Sequence, residues 1–390
     1  MEPVTWRMRR AAVAAVGLAI GMIAALPASA IAGAIDERFA APMAHPMANP
    51  ADCAEAMPCD IETAVEHGSV DEGDTITLLP GDYTLIAGQT ISALKDVLIR
   101  GKPGAARPRL ISAAANAVEL DDSLATTARP RLSDVVIDHS GSNIGVISFG
   151  GIAERVEVTT STMGAACGPF SGPDGDGLFR DSVCRNTAGG SAVGVFIGSL
   201  TPQSTRGVIR NVTAIATGGA TAAALFANSQ DGGTALLDAR NVIARGQGSD
   251  VTAAHDTGAG TSTVTLASSN YAVELELGGS TVTDPGTAGN QVAPPMFVDQ
   301  PAGDFRQTTA SPTVNAGTGD ALLGATDLHG GSRTIGCAVD IGADELDAGP
   351  PCPRDASVKP KSKCKKKRKK KSKAAAKKRC KKKKKSRQGK

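Results

Sequence analysis

From residue 51 to residue 347 the apolar positions fall in short runs of Val, Ile, Leu and Ala, cut off by Gly, Ser, Asn or Asp. Alternation of apolar and polar residues over ~4–8 positions predicts a strand with one buried face. "DTITLLPGDYTL" reads as two such strands about a Pro-Gly turn. Just before it, in "CDIETAVEHG", the spacing of Ile61, Ala64, Val65 and His67 suits a short amphipathic helix. No long helical pattern follows, so the order is one capping helix and then strands.

The runs repeat. "DVVID" from Asp134, "RVEVT" from Arg155, "DSVCR" from Asp181, "NVTAI" from Asn211 and "NVIAR" from Asn241 align at steps of 21, 26, 30 and 30 residues. Self-similarity at this period predicts a solenoid. Leucine-rich repeats need regular Leu and Asn spacings that are missing, and the steps are too uneven for a propeller. An immunoglobulin-like sandwich wants longer strands and more aromatics than the 3% present. A stacked parallel β-coil suits an interior of Ala, Val, Ile and Gly, each turn burying its apolar side against the next. Asp134, Asp181, Asn211 and Asn241 then form a polar column, read as turn residues bonding local backbone, with Arg155 interrupting the row.

Charge separates the ends from the middle. Residues 359–390 carry 21 Lys and Arg and no acid; without these, and without Arg7, Arg9, Arg10 and Glu2, the chain has 18 basic and 38 acidic side chains, a balance of −20. Arg7, Arg9 and Arg10, the uncharged "AAVAAVGLAIGMIAAL", Pro27 and the small-residue site Ala28-Ser29-Ala30 read as a cleaved export signal, too short for a bilayer span. The expected organisation is a signal peptide over 1–30, a linker over 31–50, a solenoid over 51–347 and a disordered Lys-rich tail over 348–390. No later stretch is apolar enough to span a membrane. Export favours oxidation of near cysteines, giving the pairs Cys53 with Cys59, Cys167 with Cys184 and Cys337 with Cys352.

"PMFVDQPAGDFRQTTASPTVNAGTGDALLGATDLHGGSRTIGCAVDIGADE" (295–345) resembles the C-terminal signature of choice-of-anchor Q domain proteins. The matching residues are Asp304, Phe305, Arg306, Ser311, Pro312, Asn315, Ala316, Gly317, Asp327, Gly330, Arg333, Val339, Asp340, Ile341, Gly342, Ala343 and Glu345. Asn315 stands where the family usually has Asp. The resemblance implies a bacterial surface protein with an all-β, right-handed, single-stranded parallel β-helix of the pectate-lyase-like type. Asp327, Arg333, Asp340 and Glu345 are expected to form ion pairs closing the last coil, since an open solenoid end exposes strand edges.

Catalysis on such a scaffold would act on polysaccharide. The densest acidic patch, "GPDGDGLFRDS", offers Asp174, Asp176 and Asp181, with Asp174 and Asp176 as Ca²⁺ candidates and Arg180 or Arg185 as a base; Gly-Asp repeats are ordinarily turns. No other cofactor is indicated. The only Trp, Trp6, lies in the signal, so a sugar-stacking platform looks poorly supplied. His139 beside Asp138 and His255 beside Asp256 face opposite sides of a strand and form no dyad. Serine-hydrolase, zinc-protease and P-loop motifs are absent.

The tail needs an anion. Lys365, Lys366, Lys367, Lys369, Lys370, Lys371, Lys381, Lys382, Lys383, Lys384 and Lys385 are expected to attach the protein to anionic envelope polymers or acidic polysaccharide. An aromatic-free tail on an acidic body argues against nucleic acid. The expectation is a secreted, surface-held, non-catalytic protein serving adhesion or polysaccharide binding. A polysaccharide lyase or glycoside hydrolase is the first rival, and an extracellular nucleic-acid binder the second.

Overall fold

The computed structural model describes residues 36–346, apart from 87, 126, 127, 200, 201 and 257. The export signal, the Lys tail and Cys352 lie outside the described residues. No helix among the described residues is long and apolar enough to cross a membrane.

The architecture is an all-β parallel solenoid. Each coil lays down three short strands, and each strand pairs in parallel with its counterpart one coil on. Arg131–Ser133, Val136–His139 and Ile144–Phe149 make one coil; Ile152–Glu154, Glu157–Thr160 and Ala165–Gly172 make the next. The registers are Arg131 with Ile152, Val136 with Glu157 and Ile144 with Ala165. Period-2 alternation sends Leu132, Ile137 and Val146 inward in the first coil, and Ala153, Val158 and Cys167 in the second; all are fully buried. Burying each larger side chain contributes about 1.5–3 kcal/mol, and the stack repeats this from coil to coil.

Between the first and second strands the chain turns a corner through one left-handed residue. Asp134, Arg155, Asp181, Asn211, Asn241 and Ser268 have φ of 58, 51, 52, 50, 54 and 47°. This is the polar column predicted from the aligned repeats. Arg155 belongs to it rather than interrupting it, and the expected alignment is the observed register. Asn and Asp tolerate this backbone best, and their side chains stack: Asn241 Nδ2 donates to Asn211 Oδ1 at 3.2 Å. Arg155 donates from Nε and Nη2 to Asp134, both at 2.8 Å.

At the opening end, helix Ile61–Glu66 buries Ile61, Ala64 and Val65, and its N-cap Asp60 accepts from the Thr63 amide at 2.8 Å. The solenoid begins earlier than expected. Within the stretch read as a linker, strand Glu37–Ala40 pairs in parallel with Thr75–Leu78, and Arg38 is 1% exposed. Its guanidinium donates to the carbonyls of Ala64, Ala51 and Pro50 at 3.1, 2.9 and 2.7 Å, tying helix and loop to the first strand.

The disulfides Cys53–Cys59 and Cys167–Cys184 are formed, the second inside the coils. Cys337 is disulfide-bonded as well.

The signature segment does not close the last coil. After the antiparallel pair Phe297–Asp299 and Asp304–Gln307, the chain runs back along the corner column as a lateral brace. Thr318 exchanges two 2.9 Å hydrogen bonds with the Asn241 side chain, and Asn211 Nδ2 donates to the Asp340 carbonyl at 2.9 Å. Arg333 Nη2 lies 2.6 Å from Asp181, and Arg107 donates to the Leu328 carbonyl at 2.7 Å. Asp340 and Glu345 serve the brace itself: Asp340 accepts from the Leu346 amide at 2.8 Å, and Glu345 from the amides of Asp340 and Ile335 at 2.9 and 3.2 Å.

Candidate functional site

The five residues singled out for catalysis do not converge. Asp174 sits exposed in the turn of a hairpin formed by Ser171–Gly172 and Gly175–Asp176, and its amide donates to buried Asp122 at 3.2 Å. Asp176 is held by Arg206 at 2.8 Å. Asp181 lies at the corner, fully buried under Arg333, and burial pushes it up to about 6 against the pull of that guanidinium. Arg180 binds Glu154 and donates to the Leu322 carbonyl at 3.3 Å, so it fastens the brace. Arg185 donates to the Pro301 carbonyl at 3.3 Å and lies 5.8 Å from the Phe305 ring centre. Among the described residues, no group of three or more His, Cys, Asp and Glu side chains is placed to hold a metal ion.

Arginine pairing extends over this flank. Burial works against charge on Glu154, yet Arg180, Arg131 and Arg155 hold it below the usual carboxylate range. Asp238 meets Arg206 and Arg210 at 2.8 and 3.1 Å, and Asp320 meets Arg210 and Arg240 at 3.0 and 3.3 Å. Such carboxylates are engaged as acceptors and are poorly placed to act as an acid and base on a sugar.

The brace opens one cleft of about 300 Å³ between itself and the second strands. Val183, Phe305 and Leu328 line it with Glu157, Asp304, Arg306, His329 and Asp344. His329 Nδ1 meets the buried Asp344 carboxylate at 2.5 Å, and that hydrogen bond holds the imidazole above its ordinary range. Asp327 fixes the loop by accepting from the His329 and Gly331 amides at 3.1 and 2.7 Å. An imidazole fixed at Nδ1 offers its other nitrogen for proton transfer. The sequence reading missed this pair because the partners stand fifteen positions apart; the adjacent pairs it weighed are structural. His139 is 2% exposed with Nε2 on the Ala114 carbonyl at 2.9 Å, and His255 bridges Ser229 and the Gly258 carbonyl at 3.0 and 2.9 Å.

The few aromatics present are not scattered. On the outer face of the third strands Phe149, Phe170, Phe196 and Phe226 form one half-buried row, with ring centres 5.4, 6.2 and 5.8 Å apart. Their steps along the chain, 21, 26 and 30 residues, are those of the corner column, a signal present in the sequence.

No family model matches the chain, and no curated protein matches it. Among solved structures it is similar to one titled "Crystal structure of pectate lyase Pel9A", with TM-score 0.40 and 15% identity, covering 80% of this chain and 96% of that chain.

Proposed function

We propose that this is an exported β-solenoid, held at the surface as the choice-of-anchor Q resemblance implies, and that it binds polysaccharide without cleaving it. The observation that carries the reading is the pairing of carboxylates with arginines along the braced flank, where Asp176, Asp181, Glu154, Asp238 and Asp320 each meet a guanidinium. The Lys tail supplies attachment to anionic envelope polymers. The test is fractionation of cells secreting the full chain or a chain truncated after Asp355. Retention of the first with the envelope and release of the second into the medium is the expected result; equal release of both defeats the attachment.

The His329–Asp344 cleft favours one second reading, a polysaccharide-cleaving enzyme whose acid or base is His329. New chain ends released from a panel of glycans, with the release abolished by His329→Ala, would establish it in place of the first.

A further inference from the structure

The row of phenylalanines has no role in the interior. Phe149 pairs in register with Phe170, and Phe196 with Phe226, on the face of the third strands turned away from the core. The rings pack against a buried apolar cluster of Ile144, Ile147, Ala165 and Val193. Two glycines let the rings lie down on the sheet. A Cβ on Gly198 would come within 2.5 Å of the Phe196 ring, and one on Gly168 within 2.8 Å of the Phe170 ring. The rings therefore lie against the backbone rather than standing out from it. Successive rings are inclined to one another by 36, 61 and 55°, tilted or edge-on rather than parallel.

The surroundings select among occupants. At one end Asp121 pairs with Phe149 and Glu119 with Ile147; at the other Thr252 pairs with Phe226, and half-exposed Leu275 pairs with Thr252. Arg and Lys are missing from these paired positions, so a polyanion would meet Asp121 and Glu119 at one end and no cation at either. Rings recurring once per coil, with centres 5.4, 6.2 and 5.8 Å apart, suit a chain that presents one apolar ring face after another.

We infer that this row is a binding face for an extended, uncharged β-1,4-linked glycan, which lies along the solenoid axis and stacks successive sugar faces on Phe149, Phe170, Phe196 and Phe226. The inference rests on the reading of the body as a polysaccharide binder and gives that reading a site and a substrate class.

The test is titration of the full secreted chain with cellohexaose and xylohexaose in 0.5 M NaCl, where attraction to the Lys tail is screened. Hexagalacturonate of equal length is the charged comparator. At least one neutral hexasaccharide is expected to bind and hexagalacturonate to bind at least tenfold more weakly. Phe196→Leu, which keeps an apolar side chain but removes the ring face, is expected to lose about three- to tenfold in affinity. Phe196→Trp is expected to preserve it. Absence of binding by both neutral probes, equal or tighter binding of hexagalacturonate, or wild-type affinity in Phe196→Leu would each overturn the assignment. So would a dimer that Phe196→Leu converts to monomer, because a second copy would then cover the row. Failure here with envelope retention intact would remove the row and leave the attachment by the tail standing.

Discussion

Two flanks of the solenoid use one repeat in opposite ways. At the corner, Asp134, Arg155, Asp181, Asn211 and Asn241 recur at steps of 21, 26, 30 and 30 residues; on the third strands, Phe149, Phe170, Phe196 and Phe226 recur at 21, 26 and 30. The corner groups hold a left-handed backbone; Arg155 bonds Asp134 and Asn241 bonds Asn211, and the brace seals Asp181, Asn211 and Asn241. The phenylalanines touch one another and stay half open to solvent. A period therefore reports that residues stack, and only their partners report whether the stack is structural or available to a ligand.

The largest effect that would test this contrast is expected at the corner. Arg333→Ala leaves Asp181 buried and unpaired, a change that costs about 3–5 kcal/mol at neutral pH or above. Urea unfolding of the full chain measures it. The loss should shrink near pH 5, because a buried carboxyl pushed up to about 6 is then largely neutral and needs no partner.

The intact protein should carry the same signature in its own pH dependence. Burial raises Asp181 from the ordinary 3.8 to about 6 and Glu345 from 4.5 to about 7, so the folded state keeps protons that the unfolded chain releases. This contribution is complete below the ordinary values and is lost as pH rises through about 6 and then about 7. Stability should accordingly fall between pH 4 and 7 by a few kcal/mol at most, and Asp181→Asn should flatten the part of the curve below pH 6. An unchanged slope in that variant would show that Asp181 is not a source of it.

Within the column, Asn241→Ala loses the two bonds to Thr318 and the one to Asn211, and strains a residue at φ 54°. The expected cost is about 1–3 kcal/mol, and Asn241→Gly, which relieves the strain but not the lost bonds, should cost less. Equal losses in the two variants, read from thermal unfolding, would remove the backbone from the explanation.

Much of the fold was legible because its determinants are local. The period-2 runs, the helix at Ile61–Glu66 and the aligned repeats depend on neighbours in the chain or on the residue one coil away, and the alignment gave the register directly. The brace was not legible. Its partners are far apart in sequence, with Asn211 bonded to residue 340 and Arg107 to residue 328, and nothing in the signature distinguishes a lid from a strap. Strand Glu37–Ala40 was hidden by the Ala, Pro and Met that follow it, and its decisive residue, buried Arg38, is of a type normally read as surface. The candidate sites failed for a related reason: acids close in sequence around the 171–176 hairpin were separated by its turn, while His329 and Asp344 were joined by the brace.

The smallest change in stability should give the sharpest view of the open flank. Gly198→Ala leaves every phenylalanine in place, yet its new Cβ would come within 2.5 Å of the Phe196 ring, whose outer edge can swing away toward solvent, whereas the nearest backbone atom is the Asn228 carbonyl oxygen at an ordinary 3.5 Å. The cost to folding should stay within about 1 kcal/mol, far below that of Arg333→Ala, because no left-handed backbone and no buried charge is involved. If the ring must lie on the sheet to receive a sugar face, the same variant should weaken neutral-glycan affinity as much as Phe196→Leu does. A Gly198→Ala protein that binds like wild type would show that ring orientation is dispensable, and that the row, like the corner column, owes its period to packing alone.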